Sequence, residues 1–259
     1  MKFNGTVNVI SVVFVNEDTV QIVVNKPSEM STIIPGQFFN MISNDSGYPM
    51  LRRPISVSGF TNDTIEFTIK IIGNGTKALS KLKKGDCIHM MGPLGNGFEF
   101  NNEKNVLIIG GGIGVAPVKC LLETLVDKDV NIDSVLGFKD SPFLEDKFVS
   151  YSRKTKIYSE KNTQYHLGYA TEGVIELLDT NSYDMVYGCG PHVMLKSLSK
   201  ICLEKGVKIQ LLMEEKMACG IGACLVCTCK VKSDEFNHKH VRVCADGPMF
   251  YGSEVIFHE

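Results

Sequence analysis

The chain has 259 residues, 44% of them hydrophobic, and a formal charge of -2 from 27 basic and 29 acidic side chains. That is enough apolar material for two domains and a small appendage with a real core. A near-neutral charge without blocks of one sign argues against a nucleic-acid partner and against an anionic membrane surface.

The first apolar run, 7–15, is broken by Asn8 and Ser11 and leads into Glu17 and Asp18, so it reads as a strand and not as a leader. Further short strands follow at 20–24, 36–41, 55–60, 64–71 and 86–91, separated by turn residues. This spacing predicts a small antiparallel β-barrel over residues 1–101. From Lys104 apolar strands alternate with helical stretches: strand 106–109, helix 116–126, strand 132–138, helix 144–151, strand 155–159, helix 171–178, strand 185–187, helix 192–205 and strand 208–212. Such alternation predicts a parallel sheet covered by helices over 102–213. A small cysteine-rich module fills 214–259. No apolar stretch approaches the length of a membrane span. Nine cysteines without paired spacing through the body of the chain fit a reducing compartment, so the expected location is the cytoplasm.

The barrel carries two phosphate signals. Arginine is scarce, yet Arg52 and Arg53 stand together before Pro54, Ile55 and Ser56. A forked guanidinium suits a diphosphate, although a solvated basic pair before an ordinary strand reads the same way. Gly73, Asn74, Gly75 and Thr76 precede a helical run from Lys77 to Lys83, with Thr76 as the expected N-cap. Free N–H groups there offer an anion site, and a plain helix cap is the alternative. In the parallel-sheet part, Gly110, Gly111, Gly112, Ile113 and Gly114 follow the first strand and a helix opens near Ala116. Glycines at such a turn let the backbone approach a pyrophosphate, but Val115 stands where the strict fingerprint has its third glycine. A second loop, Gly188, Cys189, Gly190 and Pro191, ends a later strand on the same sheet edge, and Gly137, Phe138 and Lys139 end another.

Cys219, Cys224 and Cys227 stand at C-x4-C-x2-C with Cys244 as a distant fourth, the plant-type spacing for a 2Fe-2S cluster. Alternation in 227–232 and 241–243 around a polar stretch 233–240 predicts a β-hairpin that returns Cys244 to Cys227. A zinc site is the rival, but it favours two short knuckles and this chain has one, Cys224 and Cys227. Cys229 is a second candidate for the fourth ligand, disfavoured because it follows Cys227 on the same strand. Cys87, Cys120 and Cys202 read as small buried hydrophobes. His238 and His240 fall in the hairpin loop as solvated side chains, and His166 and His192 have no evident partner.

Arg53-Pro54-Ile55-Ser56, Gly73-x-Gly75-Thr76, the stretch Gly92 to Phe98, the glycine turn, Cys189-Gly190-Pro191 and the loop Met217 to Cys224 together resemble the electron transfer subunits of NAD-dependent dihydroorotate dehydrogenases. The likeness spans nearly the whole chain, within the wider ferredoxin-NADP reductase superfamily. It implies an FAD-binding barrel, a pyridine-nucleotide domain and the cluster module. Arg53, Pro54, Ile55 and Ser56 would line the flavin and its diphosphate, Lys70, Ile71 and Ile72 would border it, and Gly75 and Thr76 would bind phosphate. Gly111, Gly112, Gly114, Cys189, Gly190 and Pro191 would form the nicotinamide side. Ile55 stands where many superfamily members have tyrosine, and the orotate branch resembles this sequence in lacking that tyrosine.

Electron counting explains the set of cofactors. A nicotinamide exchanges two electrons as hydride and a 2Fe-2S cluster takes one, so a flavin must stand between them. The chain leaves no room for a (β/α)8 pattern, so the resemblance implies an FMN-containing catalytic subunit, in a heterotetramer of two of each chain. Electrons would then run from dihydroorotate to FMN, cluster, FAD and NAD+. Gly220, Ile221, Leu225 and Val226 are the expected interface. Two other functions fit the same parts: a flavin and iron-sulfur subunit coupling NAD(P)H to ferredoxin, sulfide or hydrogenase partners, and a redox sensor without turnover.

Overall fold

Alternating apolar and polar side chains build the first domain strand by strand. The computed structural model describes residues 2–43 and 50–257. Its first elements are β1 (Phe3–Asn16), β2 (Thr19–Asn25), β3 (Phe38–Ser43), β4 (Arg53–Ser56), β5 (Gly59–Phe60), β6 (Thr64–Lys70), α1 (Asn74–Leu79) and β7 (Cys87–Leu94). They pair antiparallel in the order β4-β3-β7-β1-β2-β6-β5, and β4 approaches β6 as the sheet curls into a barrel. Ile22, Phe39, Met41, Ile65, Phe67, Ile69, Ile88 and Met90 fill its inside. The expected single strand 55–60 is two, because its halves pair with different neighbours. Val57 still donates to Gln37 beside β3, whereas Ser58 donates to Glu66 on β6, so the chain turns the barrel's corner there.

The second domain contains β8 (Asn105–Gly111), α2 (Val115–Leu125), β9 (Asn131–Phe138), α3 (Glu145–Tyr151), β10 (Lys154–Ser159), β11 (His166–Leu167), α4 (Ala170–Thr180), β12 (Met185–Cys189), α5 (His192–Glu204) and β13 (Ile209–Leu212). The last module adds β14 (Thr228–Val231), β15 (Lys239–Arg242) and β16 (Met249–Tyr251). The sheet order is β11-β10-β9-β8-β12-β13-β16, parallel except for β16, which pairs antiparallel with β13. From β8 the chain builds outward to β9 and β10, then crosses to place β12 on the other side of β8. A crevice at the carboxyl ends of β8 and β12 is what this reversal produces, and open α/β sheets bind ligands at such crevices.

Two junctions join the parts. Lys119 of α2 is 3% exposed and donates to Glu66 of the barrel at 2.9 Å, to Glu123 at 3.0 Å and to the carbonyl of Ser58 at 3.2 Å. The stretch after β7 meets the cysteine module: the Asn96 N–H donates to the Gly247 carbonyl at 2.6 Å and its side chain to the Asp246 carbonyl at 3.0 Å. Among the described residues no helix is long and apolar enough to cross a membrane.

Candidate functional site

One cleft of about 1000 Å³ runs along the seam of the barrel and the parallel sheet. Its barrel wall is Arg53, Pro54, Ile55 and Ser56 of β4, with Lys70, Ile72, Gly75 and Thr76. Its sheet wall is Gly111, Gly112 and Gly114 after β8 and Cys189, Gly190 and Pro191 after β12. Ile71, just past the end of β6, is absent from this lining and packs its side chain against the barrel core. Lys70 and Ile72, one residue to either side, reach the cleft instead.

The paired arginines separate. Arg53 lies over α1 so closely that a Cβ on Gly75 would come within 2.1 Å of its Nε. Its Nη1 donates to the Leu51 and Arg52 carbonyls, which aims the guanidinium along the start of α1. Arg52 turns away and donates to the Asn40 and His89 carbonyls and meets His89 Nδ1 at 2.9 Å. Burial, and then the Arg52 charge, lower the His89 pKa. Thr76 is the third residue of α1 and not its N-cap, which is Gly73. The Thr76 hydroxyl reaches back to accept from the N–H groups of Ile72 at 2.9 Å and Gly73 at 3.2 Å. That leaves the first-turn N–H groups of α1 without carbonyl partners of their own, next to a guanidinium. An anionic diphosphate fits this pairing of donors.

On the sheet side the glycines are demanded by close approach. A Cβ on Gly114 would meet the Cys189 carbonyl at 2.5 Å, and one on Gly190 would meet the Gly111 backbone at 3.1 Å. The two loops therefore pack backbone to backbone across the crevice. The Cys189 thiol is half-buried at the cleft and its pKa is pushed up to about 12, chiefly by desolvation and then by Glu214, so at neutral pH it is a protonated packing group. Phe138 at the end of β9, Lys139 just after it and Glu160 beyond β10 complete the far end of the cleft. Sequence reasoning named the first two but missed Glu160, and it missed Phe38, Met217 and Pro248, which close the end next to the cysteine loop. The strand alternation that points Phe39 into the barrel is a signal that points Phe38 outward.

The hairpin returns Cys244 to Cys227 as expected: the Val243 N–H donates to the Cys227 carbonyl at 2.8 Å and the Cys244 N–H reaches Cys227 Sγ at 3.4 Å. The four thiols meet in two pairs, Cys219 with Cys224 and Cys227 with Cys244. A two-iron cluster uses thiolates two to each iron, so this arrangement fits one. Among the described residues no three His, Cys, Asp or Glu side chains gather around a single-ion site. Burial raises the Cys219 pKa, but donation from the N–H groups of Ile221, Cys224 and Ala223 outweighs it and brings the thiol down to about 6. The loop backbone thus favours a thiolate before any metal arrives. Cys229 is buried on β14 and its pKa is raised to about 11, mainly by desolvation.

Four expectations need correction. Gly220 is buried and not part of the exposed rim, because Asn40 and Leu94 cover it. Cys87 is half-buried at the start of β7, with its thiol 3.3 Å from Asn8 Oδ1. His240 lies within β15, stacked edge-on with His238. His166 and His192 do have neighbours, the rings of Tyr158 and Phe257. The rim itself is apolar, with Ile221 52%, Leu225 62% and Val226 52% exposed.

Comparison with known proteins agrees with this anatomy. Residues 6–99 match the family model of the oxidoreductase FAD-binding domain, and 214–256 that of the iron-sulfur cluster binding domain of dihydroorotate dehydrogenase B. The chain is 42% identical over 224 residues to the dihydroorotate dehydrogenase B (NAD+) electron transfer subunit of Caldanaerobacter subterraneus subsp. tengcongensis, covering 86% of this chain and 87% of that one. It is also 42% identical to the Clostridium acetobutylicum subunit of the same name, covering 87% of each chain. Among solved structures, a chain of an NADH-dependent reduced ferredoxin-NADP oxidoreductase superposes with a TM-score of 0.84 at 27% identity, covering 96% of this chain and 89% of that one. A ferredoxin NADP+ reductase from Neisseria gonorrhoeae shares the fold at a TM-score of 0.64 and 18% identity, covering 78% of this chain and 92% of that one. With relatives this similar over most of its length, the chain belongs to the family of electron transfer subunits of NAD-dependent dihydroorotate dehydrogenase B.

Proposed function

We propose that this chain passes electrons from an FMN-containing dihydroorotate dehydrogenase catalytic subunit to NAD+, in pyrimidine biosynthesis, within a cytoplasmic heterotetramer of two of each chain. In this reading residues 1–101 hold FAD, 102–213 bind NAD and 214–259 carry the 2Fe-2S cluster. Bound FAD exchanges hydride with a nicotinamide and single electrons with an iron-sulfur cluster. The protein's own part is placement. Arg53 and the first turn of α1 balance the diphosphate, and Ile55 and Pro54 offer an apolar wall to the flavin ring. Gly114 and Gly190 bring two bare backbones together where the nicotinamide enters, and Cys189 fills the floor as a neutral thiol. Cys219, Cys224, Cys227 and Cys244 hold the iron.

The observation that supports this reading best is the extent of the cleft. It touches the barrel's diphosphate donors and both glycine loops, and its wall at Met217 lies two residues before Cys219. A flavin seated there would have the two glycine loops at one end and the cysteine loop at the other. Ile221, Leu225 and Val226, apolar and exposed around Cys224, are the surface through which electrons enter from the partner. All nine cysteines are free, as a cytoplasmic protein's are.

The test is co-purification with a candidate FMN subunit and assay of dihydroorotate-dependent NAD+ reduction. No turnover with intact flavin and cluster would reject the assignment. A second reading draws support from the ferredoxin-linked structural neighbour. Under it, reduced ferredoxin and not dihydroorotate would drive NAD+ reduction in the same assay.

A further inference from the structure

The outward face of β3 touches both the flavin cleft and the cysteine loop. Phe38 lines the cleft and packs in the same buried cluster as Cys227 and Cys244. Two residues on, Asn40 is fully buried and its Nδ2 donates to the Cys219 carbonyl at 3.1 Å. Across the ladder Asn40 pairs with Pro54 of the flavin strand, so one residue joins the two cofactor sites.

Two features mark this amide as more than packing. Gly220 has φ +72, and a Cβ there would fall 2.1 Å from Asn40 Nδ2, so the cysteine loop is pressed directly against the side chain. Asn40 Oδ1 is buried without a hydrogen-bond partner. A buried, unpaired carbonyl is unfavourable, and an apolar residue of the same size would avoid that penalty. Flipping the amide would set its oxygen against the Cys219 carbonyl, so the orientation follows from the loop. Leucine or methionine at this position would suit a barrel that had only to pack.

We propose that Asn40 is a positioning residue for electron transfer: its amide fixes the Cys219–Gly220 peptide against the flavin strand and thereby sets the placement of the cluster relative to the flavin. The inference rests on the flavin-to-cluster relay proposed above. In the measurable reverse direction NADH would supply a hydride to FAD, and its two electrons would reach the cluster one at a time, each turning one ferric iron ferrous until it passes on to the FMN of the catalytic subunit.

The experiment compares Asn40→Asp and Asn40→Leu with wild type, each as the complete complex carrying FAD and iron. The first keeps the size of the side chain and removes the donor; the second removes both polar atoms. NADH bleaching of the flavin should stay within about twofold of wild type, while arrival of electrons at the cluster slows by about tenfold because a misplaced pair of reacting groups loses rate steeply. The electron paramagnetic resonance line shape of the reduced cluster should change in both variants. Loss of iron with full FAD content would also support the inference, because the defect would be confined to the cysteine loop. Unchanged line shape and unchanged arrival would overturn it, as would loss of FAD and iron together in both variants, which would make Asn40 a barrel-folding residue. Wild-type complex whose reduced FAD never reduces the cluster would bring down the relay and this inference together.

Discussion

The barrel holds its two neighbours by opposite means. Against the nucleotide domain it uses charge: Lys119 is buried between Glu66 and Glu123, with a third hydrogen bond to Ser58. Against the cysteine module it uses neutral amides and backbone, through Asn40, Asn96 and the turn 95–98 over Pro248. A buried ion pair is strongly directional and expensive to break on one side only. Hydride transfer needs two rings in close register, which suits the charged junction. Near the cluster a buried charge would bias the iron's potential, and neutral groups avoid that.

The sharpest test of the comparison lies on the cluster side. Cys227→Ser or Cys244→Ser should abolish transfer from the partner and remove the cluster's visible absorbance, while FAD content and NADH oxidation by an artificial dye persist. Retained cluster absorbance in either would break the ligand assignment. Next in size, Lys119→Met leaves two carboxylates facing a methyl group and should destabilise the fold by about 3 kcal/mol, read as a lowered unfolding midpoint. Adding Glu66→Gln to that variant should recover part of the loss.

A smaller effect is expected at the rim. Leu225→Asp should weaken binding to the catalytic subunit by about tenfold, measured by titration, with both cofactors retained. The charged junction also has a pH signature. Desolvation lowers the Lys119 pKa, but Glu66 and Glu123 outweigh it, so the folded value lies above the ordinary 10.5. Its stabilisation is therefore complete below that value and fades as pH rises through the folded pKa. The stability gap between wild type and Lys119→Met should be constant from neutral pH to about 9 and narrow only in strong alkali. Smallest of all, Cys229→Ala should leave cluster content unchanged; loss of iron would make Cys229 a ligand.

How much of this was legible beforehand follows from how local each signal is. Cysteine spacing, the glycine turns and the switch from period-two strands to strand and helix alternation are local patterns, and they led to the cluster loop, the crevice and the domain order. Thr76 misled because threonine before a helical run is a strong N-cap signal, and only the backbone shows that α1 already begins at Asn74 with Gly73 as its cap. Ile71 is expected at the flavin border with its neighbours, but its side chain packs against the barrel core while Lys70 and Ile72 line the cleft. Lys119 and Asn40 were invisible, since both matter through partners more than fifty residues away, Ser58 and Cys219 among them. Gly220 belonged to an exposed loop by sequence and became buried only when Asn40 was placed over it.

β16 gives the molecule a last property. It belongs to the cysteine module by chain order but completes the nucleotide sheet by hydrogen bonding to β13. Cutting the chain after Met213 would not yield a tidy two-domain flavoprotein; it would strip the cover from β13 and leave an apolar strand with an open ladder, a ready template for self-association. Iron-binding and nucleotide-binding parts are thus stitched into a single fabric, and grafting this cluster unit onto another reductase requires carrying its closing strand along with it.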